Sequence, residues 1–252
     1  KVEAESGGYD ITFINRNVGK KATTYLQHCQ YRGVDGVVIA CVDFDDPQVL
    51  ELVNSKLPVV TIDHVFNNRA AVVSDNVRGM EELVRYVYAK GHRRIAFIHG
   101  EQTAVTENRL TGFYRACDAL ELEIPDAYIR EGVYHDPDRC AELTRELLRL
   151  PEPPTCILMP DDFSSIGGRN AIHRMDLRLP EDISVAGYDG IQIASVMSPA
   201  LTTYRQDTQA LGRTAAAKLI ELIEKPRTAL VDRVLIPGHL VEGASVRARE
   251  TL

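Results

Sequence analysis

The chain has 252 residues, of which 44% are hydrophobic and 26% are charged, and its formal net charge at pH 7 is −7. These values are typical of a globular protein that can bury a sizeable core. No run of about 18 apolar residues occurs in the sequence, which argues against a membrane partner. The acidic balance argues against a direct grip on nucleic acid, because a DNA-binding surface needs a basic stripe.

Short β-branched apolar runs alternate with amphipathic helices along the chain. The runs that predict strands are 11–14, 37–41, 59–62, 71–73, 95–98, 156–159 and 183–186. The predicted helices are 76–90 with Asn76 as its N-cap, 108–120, 139–150, one that follows Asp162, and 208–224. Continuous apolar runs suit strands that are buried on both faces of a parallel sheet. The pattern therefore predicts a doubly wound α/β fold, with one wide sheet or two smaller ones.

The five cysteines predict neither a disulfide framework nor a metal site. Cys29, Cys41, Cys117, Cys140 and Cys156 are widely spaced, and no C-x-x-C pair occurs. Cys41 and Cys156 lie in apolar runs and are interpreted as small core residues. Free thiols are typical of a reducing compartment, so we expect a cytoplasmic protein.

Common motifs of catalysis and cofactor binding are absent from the sequence. It contains no G-x-G-x-x-G after a strand, no Walker loop, no G-x-S-x-G elbow and no H-E-x-x-H. The histidines are dispersed: His92 follows a helix and is interpreted as a surface or cap residue, and His135 beside Asp136 is a weak acid–base candidate. We therefore expect no enzyme, no cofactor and no metal.

Several short sequence strings occur in a characteristic order. They are VDGVVI (34–39), PVVTID (58–63), SDN (74–76), GHRRIAFIHG (91–100), RLTGF (109–113), LPEDISVAGYD (179–189) and PALTTYRQD (199–207). In this order and spacing, over almost the whole chain, they resemble the effector-binding domain of the lac/gal-repressor (LacI/GalR) family of bacterial transcription regulators.

The resemblance implies two Rossmann-like lobes of the type I periplasmic-binding-protein kind, each a parallel sheet flanked by helices. The chain is expected to cross between them three times, near Ser74, Arg205 and Pro237. The N-terminal lobe is then 1–74 plus 205–236, and the C-terminal lobe is 75–204 plus 237–252. The resemblance also implies that the first strand of the N-terminal lobe and a helix-turn-helix headpiece precede Lys1.

The functional expectation that follows is an effector-sensing, dimerising domain. A small polar ligand, a sugar by preference, binds in the cleft between the lobes and draws them together. The change is passed within a homodimer to the headpiece, which alone contacts operator DNA. The alternative is a periplasmic sugar-binding receptor of a transport system, which shares the fold; the free cysteines and the string around 201–212 favour the regulator. A second alternative is an enzyme with a doubly wound fold, but it would need a reactive group in the cleft and the sequence offers none.

Ligands of open α/β sheets lie beyond the carboxyl ends of the strands. Polar residues follow the predicted strands there, and the resemblance assigns them to the effector together with lesser candidates in nearby loops. The expected ligand-binding residues are Asp63, Thr103, Arg109, Tyr134, Asp161, Asp189 and Gln206. Carboxylates accept hydrogen bonds from pairs of hydroxyls, the guanidinium donates two in parallel, and an aromatic ring supports the C–H face of a sugar.

Each of these residues also has a structural interpretation. The aspartates could be helix N-caps or Asx-turn residues, Arg109 a surface helix residue, and Tyr134 a cover for the core edge. Asp162 is interpreted as the N-cap of its helix, and Asp75 and Asn76 as cap and crossing residues.

Overall fold

The computed structural model describes residues 1–18 and 21–249. The helices are α1 Val2–Ser6, α2 Tyr25–Arg32, α3 Pro47–Val53, α4 Asn76–Ala89, α5 Ala104–Ala119, α6 Pro137–Leu148, α7 Ser165–Arg174, α8 Gln192–Val196 and α9 Thr208–Glu224. The strands are β1 Asn17–Val18, β2 Lys21–Ala22, β3 Val37–Ile39, β4 Val59–Ile62, β5 Ala70–Ser74, β6 Ile95–His99, β7 Ile129–Glu131, β8 Cys156–Leu158, β9 Ser184–Asp189, β10 Thr202–Arg205, β11 Arg233–Ile236 and β12 His239–Val241. Within these described ranges, no helix has the length and apolarity needed to cross a membrane.

The chain forms two compact units, and each contains discontinuous segments. Unit 1 is 1–74 with 207–236, and unit 2 is 75–206 with 237–252. The expected lobes divided at 204/205, two residues before the boundary between the units. Gln206 remains with unit 2 because both its backbone and its side chain are hydrogen-bonded to Asp189.

Unit 1 is built on a parallel sheet with the strand order β11-β5-β4-β3. Successive residues of β4 enter different cores: Val59 packs with residues of α2 and α3, and Val60 packs with residues of α9. This burial on both faces explains why the strand is a continuous apolar run rather than an alternating one. Helix α9 has the predicted bounds, because Asp207 caps its first turn by accepting a hydrogen bond from the Ala210 N–H.

Unit 2 has a six-stranded sheet in the order β12-β10-β9-β8-β6-β7, in which only the β10–β12 pair is antiparallel. Helices α4 and α5 cover one face and pack against Phe97 and Leu158. Helices α6 and α7 cover the other face and pack against Ile98 and Ile157. The predicted α/β class, with parallel sheets between helices, is confirmed.

Two sequence-based expectations about strands are wrong. Segment 11–14 is not a strand: Ile11 and Phe13 are exposed, and no strand of the described residues pairs with it. An apolar run becomes a strand only where a neighbouring strand satisfies its backbone groups. Cys41 is exposed rather than part of the core, because β3 ends at Ile39 and Cys41 turns the chain with a φ of 55°.

The helix starts also differ from the prediction, because caps determine them. Asp75, not Asn76, is the N-cap of α4, since its carboxylate accepts from the Arg78 N–H. Helices α5 and α6 begin earlier than predicted, after Thr103 and Asp136, which accept hydrogen bonds from backbone N–H groups of the first turn. Such caps satisfy N–H groups that have no partner inside the helix.

His92 is a buried anchor of the C-terminal segment, contrary to the expectation of a surface residue. Its side chain is fully buried, its Nε2 lies 3.0 Å from the Arg247 carbonyl oxygen, and its Nδ1 lies 2.9 Å from Thr155 Oγ1. A carbonyl oxygen only accepts, so Nε2 carries a proton. Burial lowers the pKa of His92 to about 4, and the nearby Arg249 and Arg93 act in the same direction.

The depressed pKa of His92 predicts a loss of stability in mild acid. Between about pH 6.5 and 4 the unfolded chain binds a proton at this histidine and the folded chain does not. The free energy of unfolding is therefore highest above this pH window and decreases as the pH is lowered through it. His92→Gln should flatten the pH dependence of the free energy of unfolding by up to about 3 kcal/mol over the window. Urea denaturation across the window measures it, with His173→Gln, at an exposed histidine of the same unit, as the control. A His92→Gln curve parallel to the parent would contradict the assignment.

Candidate functional site

The parallel strands of unit 2 end side by side, and their carboxyl edge carries most of the expected ligand residues. Strand β6 ends at His99, β8 is followed by Asp161 and Asp162, β9 ends at Asp189, and β10 is followed by Gln206. The edge therefore brings together residues that lie far apart in the sequence.

Arg109 is the central residue of this edge. Its side chain is only 4% exposed. Nε donates to Asn76 Oδ1 at 2.9 Å, Nη1 donates to the Pro160 carbonyl oxygen at 2.9 Å, and Nη2 forms an ion pair with Asp189 Oδ1 at 3.4 Å. The guanidinium thus joins the start of α4, the end of β8 and the end of β9, and its charge is compensated in the interior.

Two tyrosine rings flank the guanidinium of Arg109. Its Cζ lies 3.7 Å from the centroid of the Tyr188 ring and 5.4 Å from that of Tyr134. Tyr134 is oriented by a hydrogen bond of 2.9 Å between its hydroxyl and Thr106 Oγ1. Its ring also lies against Gly100, where a Cβ would overlap the ring atoms. The expected aromatic residue is therefore held in one orientation beside the cation.

Asp189 has an uncommon backbone conformation for a non-glycine residue, with a φ of 104°. Gln206 Nε2 donates to its Oδ1 at 2.6 Å, so Asp189 accepts from Gln206 and Arg109 at the same oxygen. Burial raises the pKa of Asp189, although Arg109 and Gln206 both favour its charged form. The side chain of Asp189 is 19% exposed, which leaves part of it at the surface of the edge.

The side chain of Asp161 is buried and is hydrogen-bonded within the protein. Its side chain is 1% exposed; Oδ1 accepts from Ser164 N at 2.7 Å, and Oδ2 accepts from Ser164 Oγ at 2.7 Å and from His135 N at 2.9 Å. This carboxylate joins the loop after β7 to the first turn of α7. Direct ligand contact by Asp161 stays a prediction, and its observed bonds are structural.

Asp162 is not the N-cap of its helix, contrary to the interpretation from sequence. Helix α7 begins after Ser164, and it is the neighbouring Asp161 that accepts from the Ser164 N–H. Asp162 is fully buried; Thr203 Oγ1 donates to its Oδ1 and Ile191 N donates to its Oδ2. Burial raises the pKa of Asp162 to about 7 against the effect of these donors.

The two remaining predicted residues have local structural partners. In unit 1, Asp63 follows β4 with a φ of 59°, and its Oδ1 accepts from Ser74 N at 2.7 Å, at the end of the neighbouring strand. In unit 2, the exposed Thr103 is the N-cap of α5 and accepts from Thr106 N at 3.3 Å. Ligand binding by both stays a prediction.

Sequence reasoning missed three residues that shape the site. Asn76 was interpreted as a cap, but its side chain accepts from Arg109; Thr106 orients Tyr134; and Tyr188 stacks on Arg109. Thr106 could have been identified from the sequence, because it is a polar residue one helical turn before Arg109 on the same helix. No group of three or more His, Cys, Asp and Glu residues suited to a metal ion occurs within 1–18 and 21–249.

Comparison with known proteins establishes the family. A family model described as a periplasmic binding protein-like domain matches residues 84–246. The HTH-type transcriptional repressor PurR of Escherichia coli is 30% identical in an alignment of 250 residues that covers 95% of this chain and 73% of that repressor. This chain belongs to the LacI/GalR family of transcriptional regulators. The resemblance inferred from the sequence strings is thereby confirmed.

Two solved structures of LacI-type regulators support the same fold. The transcriptional regulator CelR in complex with cellobiose is 26% identical, with a TM-score of 0.81, over 97% of this chain and 76% of that chain. A LacI family regulator from Enterococcus faecalis V583 with bound ribose is 25% identical, with a TM-score of 0.77, over 90% of this chain and 82% of that chain. The expected type I periplasmic-binding-protein-like fold is confirmed.

The chain is a ligand-sensing regulatory domain of a LacI-type regulator. The alternative of a transport receptor is not favoured, because the relatives are regulators of transcription. A repressor such as PurR is not an enzyme.

Two buried tyrosines of this LacI-type domain, Tyr188 and Tyr204, predict opposite effects of removing a hydroxyl. Tyr188 Oη is buried against Gly79, and no hydrogen-bond partner for it lies among the described residues, whereas Tyr204 Oη accepts from Gly238 N at 3.1 Å. Tyr188→Phe should therefore leave the free energy of unfolding unchanged or raise it by up to about 1 kcal/mol, and Tyr204→Phe should lower it by about 1 kcal/mol. Urea denaturation of both variants measures this. A larger loss for Tyr188→Phe than for Tyr204→Phe would show that its hydroxyl is bonded.

Proposed function

We propose that this domain senses a sugar at the carboxyl edge of the unit 2 sheet, where Arg109, Tyr134 and Asp189 contact it. The observation that carries the proposal is the grouping of a guanidinium, a carboxylate and an aromatic ring at one edge. These are three complementary groups for a polyhydroxylated ring. The carboxylate accepts from hydroxyls, the guanidinium donates to them, and the ring packs against C–H groups.

Two further predicted residues, Gln206 and Asp161, support this site by holding Asp189 and Tyr134 in place. Gln206 donates to Asp189, and Asp161 holds the loop that carries Tyr134. The other two predicted ligand residues are Asp63, which follows β4, and Thr103, which is the N-cap of α5. Preorganised partners of this kind reduce the entropy that is lost when a ligand binds.

The choice of a sugar also rests on the relatives. CelR was solved with cellobiose and the Enterococcus faecalis regulator with ribose. We carry this ligand class over to the present chain as a proposal. The chain uses no catalytic residue, cofactor or metal in this function, and its free cysteines suit work in the cytoplasm.

Regulation in this proposal passes through a homodimer and an N-terminal helix-turn-helix headpiece that contacts operator DNA. The ligand changes DNA affinity only to the extent that it binds the two states of the regulator with different affinity. Exposed aliphatic side chains on and beside α8, namely Ile191, Ile193 and Val196, supply an apolar surface for the second copy.

The ligand site is tested by calorimetry with D-ribose, D-xylose, D-glucose, cellobiose and inosine. Arg109→Ala should weaken the tightest of these at least about tenfold, because Asp189 loses its cation and the ligand loses donors. The matched control is Arg115→Ala, at an exposed arginine of the same helix α5. Equal affinity of Arg109→Ala and the parent would refute the site, and binding of inosine alone would refute the sugar.

The dimer is tested by sedimentation equilibrium of the chain and its Val196→Asp variant. We expect a dimer for the parent and at least about a tenfold weaker association for the variant, because a charge would be buried in an apolar contact. A monomeric parent at micromolar concentration would refute the dimer proposal, and an unchanged association in the variant would refute the role of α8.

A further inference from the structure

Asp162 follows β8 and connects it to the neighbouring strands β9 and β10 through one buried side chain and its own backbone. Its backbone N–H donates to the Tyr188 carbonyl oxygen at 2.9 Å, at the end of β9. Its Oδ2 accepts from Ile191 N at 2.9 Å, and its Oδ1 accepts from Thr203 Oγ1 at 2.6 Å, on β10. Asp162 therefore holds the chain on both sides of the Asp189–Gly190 pair.

The turn between these two anchors is the unusual part of the site. Asp189 has a φ of 104° and Gly190 a φ of 69°, and a Cβ at Gly190 would lie 2.5 Å from Arg205 Cγ. A positive φ at a non-glycine residue costs free energy and persists only where the surroundings impose it. The bonds of Tyr188 and Ile191 to Asp162 fix the chain on either side of the turn, and Gln206 N and Arg205 Nε donate to the carbonyl oxygens of Asp189 and Gly190 within it.

We propose that Asp162 is the positioning residue of the site: its buried carboxylate holds the Asp189–Gly190 turn so that Asp189 meets Arg109 and Gln206, and protonation of that carboxylate loosens the turn. The reason is the strength of the acceptor. A carboxylate binds the Ile191 N–H about twice as strongly as a neutral carboxyl group does. The inference deepens the proposed function, because it rests on Asp189 as a ligand residue.

The charged surroundings of Asp162 allow this change near neutral pH. Burial raises the pKa of Asp162 to about 7, the hydroxyl of Thr203 and the Ile191 N–H lower it, and the negative charge of Asp189 raises it. On the adjoining elements, Arg109 lies next to Asp189, and His135 lies 3.6 Å from the carboxylate of the neighbouring Asp161. Asp162 and Asp189 thus titrate as neighbours of like charge.

The test follows two amide resonances by NMR in the ligand-free domain. Between about pH 5.5 and 8.5, the Ile191 backbone N–H and the Gln206 side-chain NH₂ should titrate with a common midpoint near 7. Thr203→Val removes the hydroxyl that favours the charged carboxylate, so both midpoints should rise by about one pH unit. Thr203→Ser keeps the hydroxyl and should restore the parent midpoint.

Two further variants keep the test decisive. Thr202→Val changes the adjacent buried threonine, whose hydroxyl bonds Gly243 instead, and should leave both midpoints in place. Asp162→Asn keeps a side chain of the same shape and should abolish the titration of the Ile191 N–H. An unshifted Ile191 midpoint in Thr203→Val would overturn the role of Asp162, and a shift at Ile191 that Gln206 does not follow would overturn its link to Asp189. A failure of every sugar to bind would refute the proposed function but would not change these titrations.

Discussion

The buried guanidinium of Arg109 is the interaction on which the architecture of unit 2's carboxyl edge depends. A cation out of water is tolerated only where acceptors surround it, and here they come from the start of α4, the end of β8 and the end of β9. Each of these segments is oriented by the same group. The geometry of the edge is therefore set by contacts within the protein.

Three carboxylates on this edge, at Asp161, Asp162 and Asp189, have different environments and different roles. Asp161 is surrounded by three donors and ties a loop to a helix. Asp162 is fully buried, and this burial raises its pKa to about 7 although hydrogen bonds from Thr203, Ile191 and Gly190 lower it; the nearby charge of Asp189 adds to the rise. Only Asp189 retains exposed surface beside a cation. An edge that is acidic by sequence thus exposes much less negative charge to solvent, because burial and hydrogen bonding decide which carboxylate remains accessible.

The sequence predictions were correct where a feature depends on neighbouring residues, and they failed where it depends on residues that are distant in the sequence. Helix α9 was predicted at its observed bounds, because its cap and its apolar stripe are local signals. Six strands of the sheets, β3, β4, β5, β6, β8 and β9, were recognised as continuous apolar runs for the same reason, whereas β7, β10, β11 and β12 were not predicted. Segment 11–14 and Cys41 were misjudged, because strand formation and burial depend on neighbours that the local pattern does not specify. His92 was misjudged because its partners Thr155 and Arg247 lie 63 and 155 residues away.

The amino-acid sequence alone determined the α/β class, the family and the position of the candidate site at the strand ends. Periodicity and short strings carry that information, because each arises within a few neighbouring residues. Only the tertiary structure decided that Arg109 pairs with Asp189, 80 residues away, and that Asp162 receives Thr203, 41 residues away. Burial and hydrogen-bond partners exist only once distant segments of the chain pack together. For this reason only the tertiary structure shows that Asp189 keeps exposed surface and that Asp161 and Asp162 are internal.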